Sequence, residues 1–420
     1  MGKRPNRNRP TTANARTATT AKSRQATTAR AFQFVNVTDP MQEVAKEEPA
    51  SPAAGVLSEL PRHFDEDSVD EEVVSRPSGS AEAALVLSKP RRNSMATDAL
   101  PIPQTIEILP SQSRMLFDHF STSIASKMVV LDFADNGYRQ IILPLACQDS
   151  TVNQAVSVVS AFHLAQDVPS MRMQAELGQQ NILSKLRQSS LSLQPTQIFS
   201  LSAWTTVLIL LVGDTITGSN NYIYLLGLLS QLARSCLRDP SLSDYARSFI
   251  IQQTCMFELF GLPLSSESKA LELLQDSPES YLDFMTSYPM LNPDSEHYAN
   301  VLTMKDSIRQ ACAIYKNRVK RQTSKAESIA AVEKLRQTLD TLDPDVEGCH
   351  ALVWACFIGG AESTEPEHRE FFKTRLGNLF KWTKFGTIPV ALETLQYIWD
   401  TESSWHWTEV VINQRPALIM

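Results

Sequence analysis

Thiol and imidazole side chains come closest together in the sequence between residues 349 and 356. Cys349 stands next to His350, and Cys356 follows seven residues after Cys349. A thiol beside an imidazole base could form an activated nucleophile. Neighbouring residues of a helix, however, point about 100° apart and do not face each other. We therefore expect Cys349 and Cys356 to be buried as small apolar side chains.

The same three residues are also the best candidates for metal ligands. Two helical turns separate Cys349 from Cys356, which is about 10 Å along the helix axis. Zinc binds its ligands at about 2.0–2.3 Å, so the two thiols could share an ion only if the helix broke between them. No two of the six cysteines have C-x-x-C spacing. The sequence therefore predicts neither a metal nor a cofactor.

Two further groupings have structural interpretations that explain them better than chemistry does. The glutamates around Pro366 are Glu362, Glu365, Glu367 and Glu370. A catalytic pair would need burial in a cleft, whereas a solvated loop leading into a helix N-terminus accounts for acidic residues directly. Gly359 and Gly360 lack the lysine and the preceding strand of a phosphate-binding loop. We predict no catalytic residue.

Basic residues near the start of the sequence form two patches that could contact phosphates or an import receptor. The candidate residues are Lys3, Arg4, Arg7 and Arg9 in the first patch and Lys89, Arg91 and Arg92 in the second. Such patches serve in nuclear import, bind nucleic acid through counterion release, or simply keep a tail soluble. Sequence-specific DNA reading is not expected, because it needs a folded element in a groove.

Ser94 is the candidate phosphorylation site, because Arg91-Arg92-Asn93 precedes it as in substrates of basophilic kinases. A phosphate would place about two negative charges inside the second basic patch. An unmodified surface serine is the alternative. The acidic stretch from Phe64 to Val74 is either an activation segment or an inert spacer.

The character of the sequence changes near residue 110. Prolines cluster in residues 1–110, and residues 1–30 show no apolar periodicity, so we predict that residues 1–110 form a disordered tail. Within this tail, residues 32–39 alternate apolar and polar side chains as in a short strand or a docking motif. From Ser111 onward apolar residues recur at helical spacing. One stripe consists of Val152, Ala155, Val156, Val159 and Phe162, with Ser150 as its predicted cap. A second consists of Tyr222, Leu225, Leu226, Leu229, Leu232, Ala233 and Cys236.

Two shorter stripes complete the helical pattern: Ile329, Val332, Leu335 and Leu339, then Leu392, Leu395 and Trp399 after Pro389. Trp204 to Val212 is too short to span a bilayer, which takes about 20 residues, and predicts a buried helix. Trp399, Trp405 and Trp407 are either partner anchors or core residues. We predict an all-α domain of about ten helices over residues 111–420, packed as a large irregular bundle or right-handed array.

Several sequence blocks together resemble the fungal-specific transcription factor domain. They are LFDHF at 116–120, YRQIILPLA at 138–146, VSVVSAFHLA at 156–165, and CHALVWACFIGGA at 349–361 followed by EPEHR at 365–369. That family is the helical regulatory domain of fungal zinc-cluster transcription factors. The resemblance implies a nuclear regulator of transcription whose helical domain modulates activity, dimerises or senses effectors.

The sequence departs from the family at its N-terminal end. Family members usually begin with a binuclear zinc cluster of six closely spaced cysteines, whereas the first cysteine here is Cys147. Zinc-cluster DNA binding is therefore not implied. FVNVTDP at 34–40 is similar to an element found in relatives without the cluster, which favours a cluster-less member over a truncated gene model.

These observations predict a non-enzymatic transcriptional regulator in the nucleus that acts through protein partners, without membrane association. The partner is expected to be a second copy of the chain or a DNA-bound transcription factor. Two alternatives remain: an all-helical enzyme or ligand-binding protein of secondary metabolism, and a cytosolic helical scaffold.

Overall fold

The regular structure of this protein is helical in every part of the chain that is described. The computed structural model describes residues 110–192, 200–275, 279–286, 291–401 and 406–420. These ranges contain no β-strand, so the all-α prediction is confirmed. The basic patches, Ser94, the acidic stretch and FVNVTDP all lie outside the described residues, and the predictions made for them stay predictions.

The described α-helices exceed the ten that were predicted, because the shortest ones contain too few residues to show a periodicity. In chain order they are α1 (Ser111–His119), α2 (Leu143–Gln148), α3 (Ser150–Leu164), α4 (Met171–Ser192), α5 (Leu201–Thr217), α6 (Tyr222–Cys236), α7 (Asp244–Gly261), α8 (Glu267–Gln275), α9 (Glu279–Leu282), α10 (Tyr298–Lys320), α11 (Lys325–Asp340), α12 (Val353–Glu362), α13 (Pro366–Thr383), α14 (Thr387–Asp400) and α15 (Trp407–Asn413). Five-residue π-helical turns occur at Phe120–Ile124 and Tyr138–Ile142, and 3-10 turns at Ala125–Lys127, Asp283–Met285 and Cys349–Leu352.

Helix α5 is buried along nearly its whole length and lies at the centre of the first half of the domain. Every residue from Trp204 to Ile216 is buried, as expected of a helix that is apolar on all sides. It packs against α3 and α6. It also meets α14, where the backbone N–H of Gly386 donates to the carbonyl of Ile216 at 2.9 Å. The predicted buried helix over 204–212 is confirmed.

Helix α12 has the same position in the second half, with all 10 of its residues buried. Helices α10, α11, α13 and α14 pack around it. Two glycines allow this close packing. A Cβ atom on Gly359 would lie 2.4 Å from Cζ of Phe372, and one on Gly360 would lie 2.9 Å from Cδ1 of Leu395. The Gly359-Gly360 pair is therefore a helix-packing device.

The predicted apolar stripes form the buried faces of four helices. All predicted stripe residues of α3 and of α6 are buried. On α11 the stripe is buried except for Ile329, which is partly exposed. On α14 Leu395 is buried, while Leu392 and Trp399 are partly exposed. None of the described helices combines the length and the hydropathy needed to cross a membrane.

Helix boundaries agree with the proline positions but not with the predicted cap of α3. Ser150 is the first helical residue, and the N-cap is Asp149. The Asp149 carboxylate accepts hydrogen bonds from the backbone N–H groups of Thr151 at 2.8 Å and Val152 at 3.1 Å. A carboxylate reaches these donors as well as a hydroxyl does and also complements the helix dipole. Pro366 is the first residue of α13, where its missing N–H costs nothing. Pro389 lies in the first turn of α14.

One continuous apolar core joins both halves of the helical domain. It includes Leu116 of α1 and extends to the last described segment of the chain, where Ala417, Leu418 and Ile419 are almost completely buried. Residues near the two ends of the described chain therefore belong to the same core.

Candidate functional site

The side chains of Cys349 and His350 contact different neighbours and do not form a common site with Cys356. The 3-10 turn that contains Cys349 and His350 continues into α12 without a break. Cys349 lies below Arg375, with 3.8 Å between Sγ and Nη2, while the His350 ring packs against Trp382 with 5.0 Å between centroids. Burial raises the pKa of the Cys349 thiol, and it raises the pKa of Cys356 to about 12. Both thiols are therefore protonated core groups at neutral pH, as the helical pattern predicted.

The interpretation of the glutamates as a solvated loop is wrong for Glu362. Its side chain is only 5% exposed and accepts hydrogen bonds from four donor atoms. Arg318 donates with Nε at 2.7 Å and with Nη2, the Ser328 hydroxyl donates to the same carboxylate, and Trp407 Nε1 donates at 2.8 Å. This Glu362 network ties α10, α11, α12 and α15 together, so the carboxylate is structural.

The tryptophans near the end of the chain are mainly packing residues. Trp407 is buried and also belongs to the Glu362 network. Trp399 is partly exposed, and its indole N–H donates to the carbonyl of Gly360 at 2.9 Å. Trp405 lies outside the described residues. For Trp407 the core interpretation is therefore confirmed.

Two histidines that are far apart in the sequence form a hydrogen-bonded chain at the C-terminal end of α13. Nε2 of His119 lies 2.9 Å from Nδ1 of His163, and Nε2 of His163 lies 3.3 Å from the carbonyl oxygen of Thr383. A carbonyl can only accept, so the Nε2 atom of His163 carries the proton. His119 therefore donates to His163, and His163 donates to Thr383.

Two further basic side chains, Lys127 and His350, lie next to these histidines near the end of α13. Nζ of Lys127 lies 3.4 Å from the Thr383 carbonyl and 5.5 Å from the centroid of the Trp382 ring. Nε2 of His350 donates to the carbonyl of Val129 at 2.8 Å, which leaves Nδ1 as an acceptor. That Nδ1 is buried and has no hydrogen-bond partner. We call His119, Lys127, His163 and His350 the basic cluster.

The basic cluster is held in its less charged forms by burial and mutual repulsion. Burial, with added repulsion by the nearby Lys127 ammonium, lowers the pKa of His163 to about 4 and that of His350 to about 4. Burial, and then repulsion by Lys384, lowers the pKa of Lys127 itself. Among the described residues, no carboxylate comes within ion-pair distance of Lys127.

An apolar cavity opens beside the basic cluster. Its cavity volume is about 40 Å³, far below the roughly 300–1,000 Å³ of small-molecule sites. Lys127 and His350 line it together with apolar side chains that include Val129, Val130, Met256, Phe260, Phe284 and Phe385. The cavity lining thus combines apolar side chains with the ammonium group of Lys127 and the imidazole ring of His350.

A second concave feature, the α1–α4 groove, lies on the surface between α1, α3 and α4. Its volume is about 310 Å³, and its lining includes Leu116, Val158 and Leu177. Apolar side chains stand exposed beside it: Met173 is 72% exposed, Leu177 is 57% exposed, and Met115 is 48% exposed. Apolar side chains grouped in this way typically mark a protein contact surface.

Comparison with protein families assigns the helical domain. The model described as the fungal specific transcription factor domain matches residues 115–266 and 261–420. The chain belongs to this family. No curated protein and no solved structure gives a significant match. The resemblance carried by the LFDHF, YRQIILPLA, VSVVSAFHLA and CHALVWACFIGGA blocks is thus confirmed, and the helices described above form the fungal-specific transcription factor domain of this protein.

The basic cluster was not predicted from the sequence, although a signal for it was present. His119, His163 and His350 each lie in a different one of the blocks that resemble the family. Each histidine alone is consistent with an ordinary helix residue. Only the packing of α1, α3 and the turn before α12 brings them together around Lys127, whose surrounding sequence has no comparable motif.

Proposed function

We propose that this protein regulates transcription in the nucleus through protein contacts of its helical domain, and that it reaches DNA through another protein. The observation that carries the proposal is the family match over residues 115–266 and 261–420. A member of a transcription factor family is expected to work on chromatin, which supports a site of action in the nucleus.

The exposed apolar side chains beside the α1–α4 groove support contacts with a protein partner. Met173 and Leu177 are four residues apart on α4, so they stand on the same face of the helix. Neither is covered by the rest of the described domain. Leaving large apolar side chains in water is unfavourable, and covering them with a partner would remove that cost.

Indirect DNA contact is supported by the cysteine positions. A binuclear zinc cluster needs six closely spaced cysteines, but these 420 residues contain no cysteine before Cys147. The later cysteines do not supply such a cluster. Four of them are buried in the helical core: Cys236, Cys312, Cys349 and Cys356. The partner proposed here is therefore a second copy of the chain or a DNA-bound transcription factor.

A non-enzymatic role is part of the same proposal. Burial raises the pKa of Cys236, Cys255, Cys312 and Cys356 to between about 11 and about 12, which disfavours nucleophilic thiolates. In the described part of the chain no three His, Cys, Asp or Glu side chains are grouped closely enough to hold a metal ion.

Chromatin occupancy in the native host tests the partner proposal. We expect promoter peaks for the tagged wild-type protein and their loss in the double variant Met173→Ser, Leu177→Ser. The matched control is Arg172→Ser, Glu176→Ser, which removes an exposed ion pair with 2.9 Å between its atoms on the same helix and should leave the peaks unchanged. Peaks that survive the apolar substitutions, or that are absent from the wild type, would contradict the proposal.

Nuclear import by the first basic patch is tested separately by imaging. Replacing Lys3, Arg4, Arg7 and Arg9 by alanine should shift the tagged protein from the nucleus to the cytoplasm, because import receptors recognise clustered positive charge. The same substitutions at Lys89, Arg91 and Arg92 test the second patch. A protein that is excluded from the nucleus with both patches intact would overturn the nuclear part of the proposal.

A further inference from the structure

Three lysines lie around an exposed tryptophan at the C-terminal end of α13. Trp382 is 50% exposed, and Lys381 and Lys384, on either side of it in the sequence, are exposed as well. Nζ of Lys127 lies 5.5 Å from the centroid of the Trp382 ring. We call Lys127, Lys381, Trp382 and Lys384 the lysine–tryptophan patch. It joins positive charge to apolar surface that the described part of the domain leaves uncovered.

The positive charge of the lysine–tryptophan patch is not balanced. Lys127 contacts the Thr383 carbonyl at 3.4 Å, and Lys381 contacts the side-chain oxygen of Asn378 at 3.2 Å. Among the described residues, no carboxylate lies within ion-pair distance of any of the three lysines. The C-terminal end of a helix carries only about half a negative charge. Repulsion between Lys127 and Lys384 therefore remains, and an anionic partner would relieve it.

The exposed part of Trp382 adds an apolar requirement to this anionic partner. Tryptophan is one of the residue types that contribute most to the free energy of protein association. Removing its apolar surface from water is favourable. A partner that covers Trp382 and neutralises the lysines therefore carries carboxylates beside an aromatic or aliphatic side chain.

A nucleic acid would also meet the positive charge, but it fits the tryptophan less well. Bases bind exposed aromatic side chains by stacking on the face of the ring. The His350 ring already packs against Trp382 at an interplanar angle of 30°, and Lys127 lies over the same ring. Two aspartates act on the basic cluster next to Lys127 and would repel a continuous phosphate backbone: Asp118 and Asp167. A peptide can place its carboxylates away from these aspartates.

We propose that the lysine–tryptophan patch binds an acidic peptide segment of a partner protein. Carboxylates of the segment pair with Lys127, Lys381 and Lys384, and an apolar side chain between them packs on the exposed part of Trp382. The patch shares no lining residue with the α1–α4 groove, so it is a second contact surface beyond the one proposed for regulation. Peptide binding is measured on the purified chain and chromatin occupancy in cells, so either proposal can fail alone.

Fluorescence anisotropy of labelled peptides with the purified full chain tests the partner class. The probe is DDEFDDLEE, a second peptide replaces its acids by amides (NNQFNNLQQ), and a third replaces its apolar residues by serine (DDESDDSEE). We expect the probe to bind at least about tenfold more tightly than the amide peptide and about fivefold more tightly than the serine peptide. Added salt should weaken binding of the probe, because exposed charges are screened. Equal binding of the three peptides would overturn the proposal.

Competition separates the peptide from a nucleic acid. Unlabelled oligothymidine of nine nucleotides is added to the complex of the full chain with the labelled probe. We expect it to displace the probe only at higher concentrations than the unlabelled probe needs. Displacement at lower concentrations would assign the patch to single-stranded nucleic acid and contradict the proposal.

Substitutions at exposed positions locate the binding site. Lys381→Gln combined with Lys384→Asn should weaken probe binding about fivefold or more, because two charge pairs are lost. Asparagine suits residue 384, whose φ is 60°. The matched control combines Lys269→Gln with Lys334→Gln, which removes two exposed lysines outside the patch and should change binding less than about twofold. If the patch variant binds the probe as tightly as the wild type does, the peptide lies elsewhere.

Photo-crosslinking of the wild-type chain gives a measurement that does not depend on any substitution. The phenylalanine of the probe is replaced by benzoylphenylalanine, which should label the segment of α13 that contains Trp382. Mass spectrometry identifies the labelled segment. Labelling confined to residues outside the lysine–tryptophan patch and its neighbours would overturn the proposal.

Discussion

At the scale of single residues, the basic cluster shows how burial alters ordinary side chains. The four groups carry basic nitrogen atoms, yet the core around them disfavours their protonated forms. His119 and His163 bridge α1 and α3 to the end of α13, and His350 ties the turn before α12 to Val129. The hydrogen bond from His119 to Nδ1 of His163 needs a neutral His163 imidazole, so the packing of the domain is linked to proton concentration.

Acidification should therefore destabilise the domain. An unfolded histidine has a pKa near 6.5, whereas the pKa of His163 and of His350 is about 4 in the folded domain. Between these values the unfolded chain binds more protons, so the stabilisation is fully present above about pH 6.5 and is lost as the pH falls toward 4. Each histidine should remove up to about 2 kcal/mol of unfolding free energy between pH 7 and pH 5.

Urea unfolding at a series of pH values measures this effect. His163→Gln should flatten the dependence of the unfolding free energy on pH, because it removes one of the two groups. His297→Gln is the control, since it removes a histidine outside the basic cluster. An unchanged slope in His163→Gln would show that other groups cause the acid sensitivity.

Glu362→Gln should destabilise the domain strongly, because it leaves the Arg318 guanidinium next to a neutral group and breaks the best hydrogen bonds of the Glu362 network. Loss of one partner of a buried ion pair costs about 3–5 kcal/mol, and partial exposure of Arg318 argues for the lower end. Glu367→Gln, at an exposed position of the same glutamate group, should stay within about 0.5 kcal/mol. Denaturant unfolding of both variants measures this difference in unfolding free energy.

At the scale of helices, the fit of α12 into its four neighbours depends on the absence of two side chains. Gly359→Ala would push a methyl group into the ring of Phe372, which is completely buried. We expect a loss of about 1–3 kcal/mol in unfolding free energy from overpacking. The control is Gly377→Ala on α13, where a Cβ would meet no atom within 4 Å, and which should stabilise slightly.

Helix faces were predictable from sequence where apolar residues repeat along one side of a helix. The stripe on α6 is buried residue for residue as predicted, because its members recur every three or four residues on one face. Glu362 was misassigned for the opposite reason: three more glutamates and a proline beside it indicate solvent, and only the folded chain brings Arg318 to it. The basic cluster needs contacts between residues as distant as 119 and 350, which periodicity cannot report.

At the scale of the whole molecule, one apolar core contains both the first helix and the last described residues. Leu418 is 0% exposed, and a methyl of its side chain would lie 3.3 Å from a Cβ placed on Gly261. Leu418→Ala should therefore cost about 2–5 kcal/mol of unfolding free energy. Asn413→Ala, at an exposed position just before it, should be nearly neutral. Similar melting curves for the two variants would show that this segment packs weakly.

The burial of residues 417–419 has a consequence for biosynthesis. A ribosome adds about 5–20 residues per second, and until Ile419 has left the exit tunnel the core surface that it covers stays open to water. The helices near Leu116 are synthesised first, before the segment that completes the same core. The nascent chain therefore exposes apolar surface throughout translation of this domain, which is the condition in which chaperones bind.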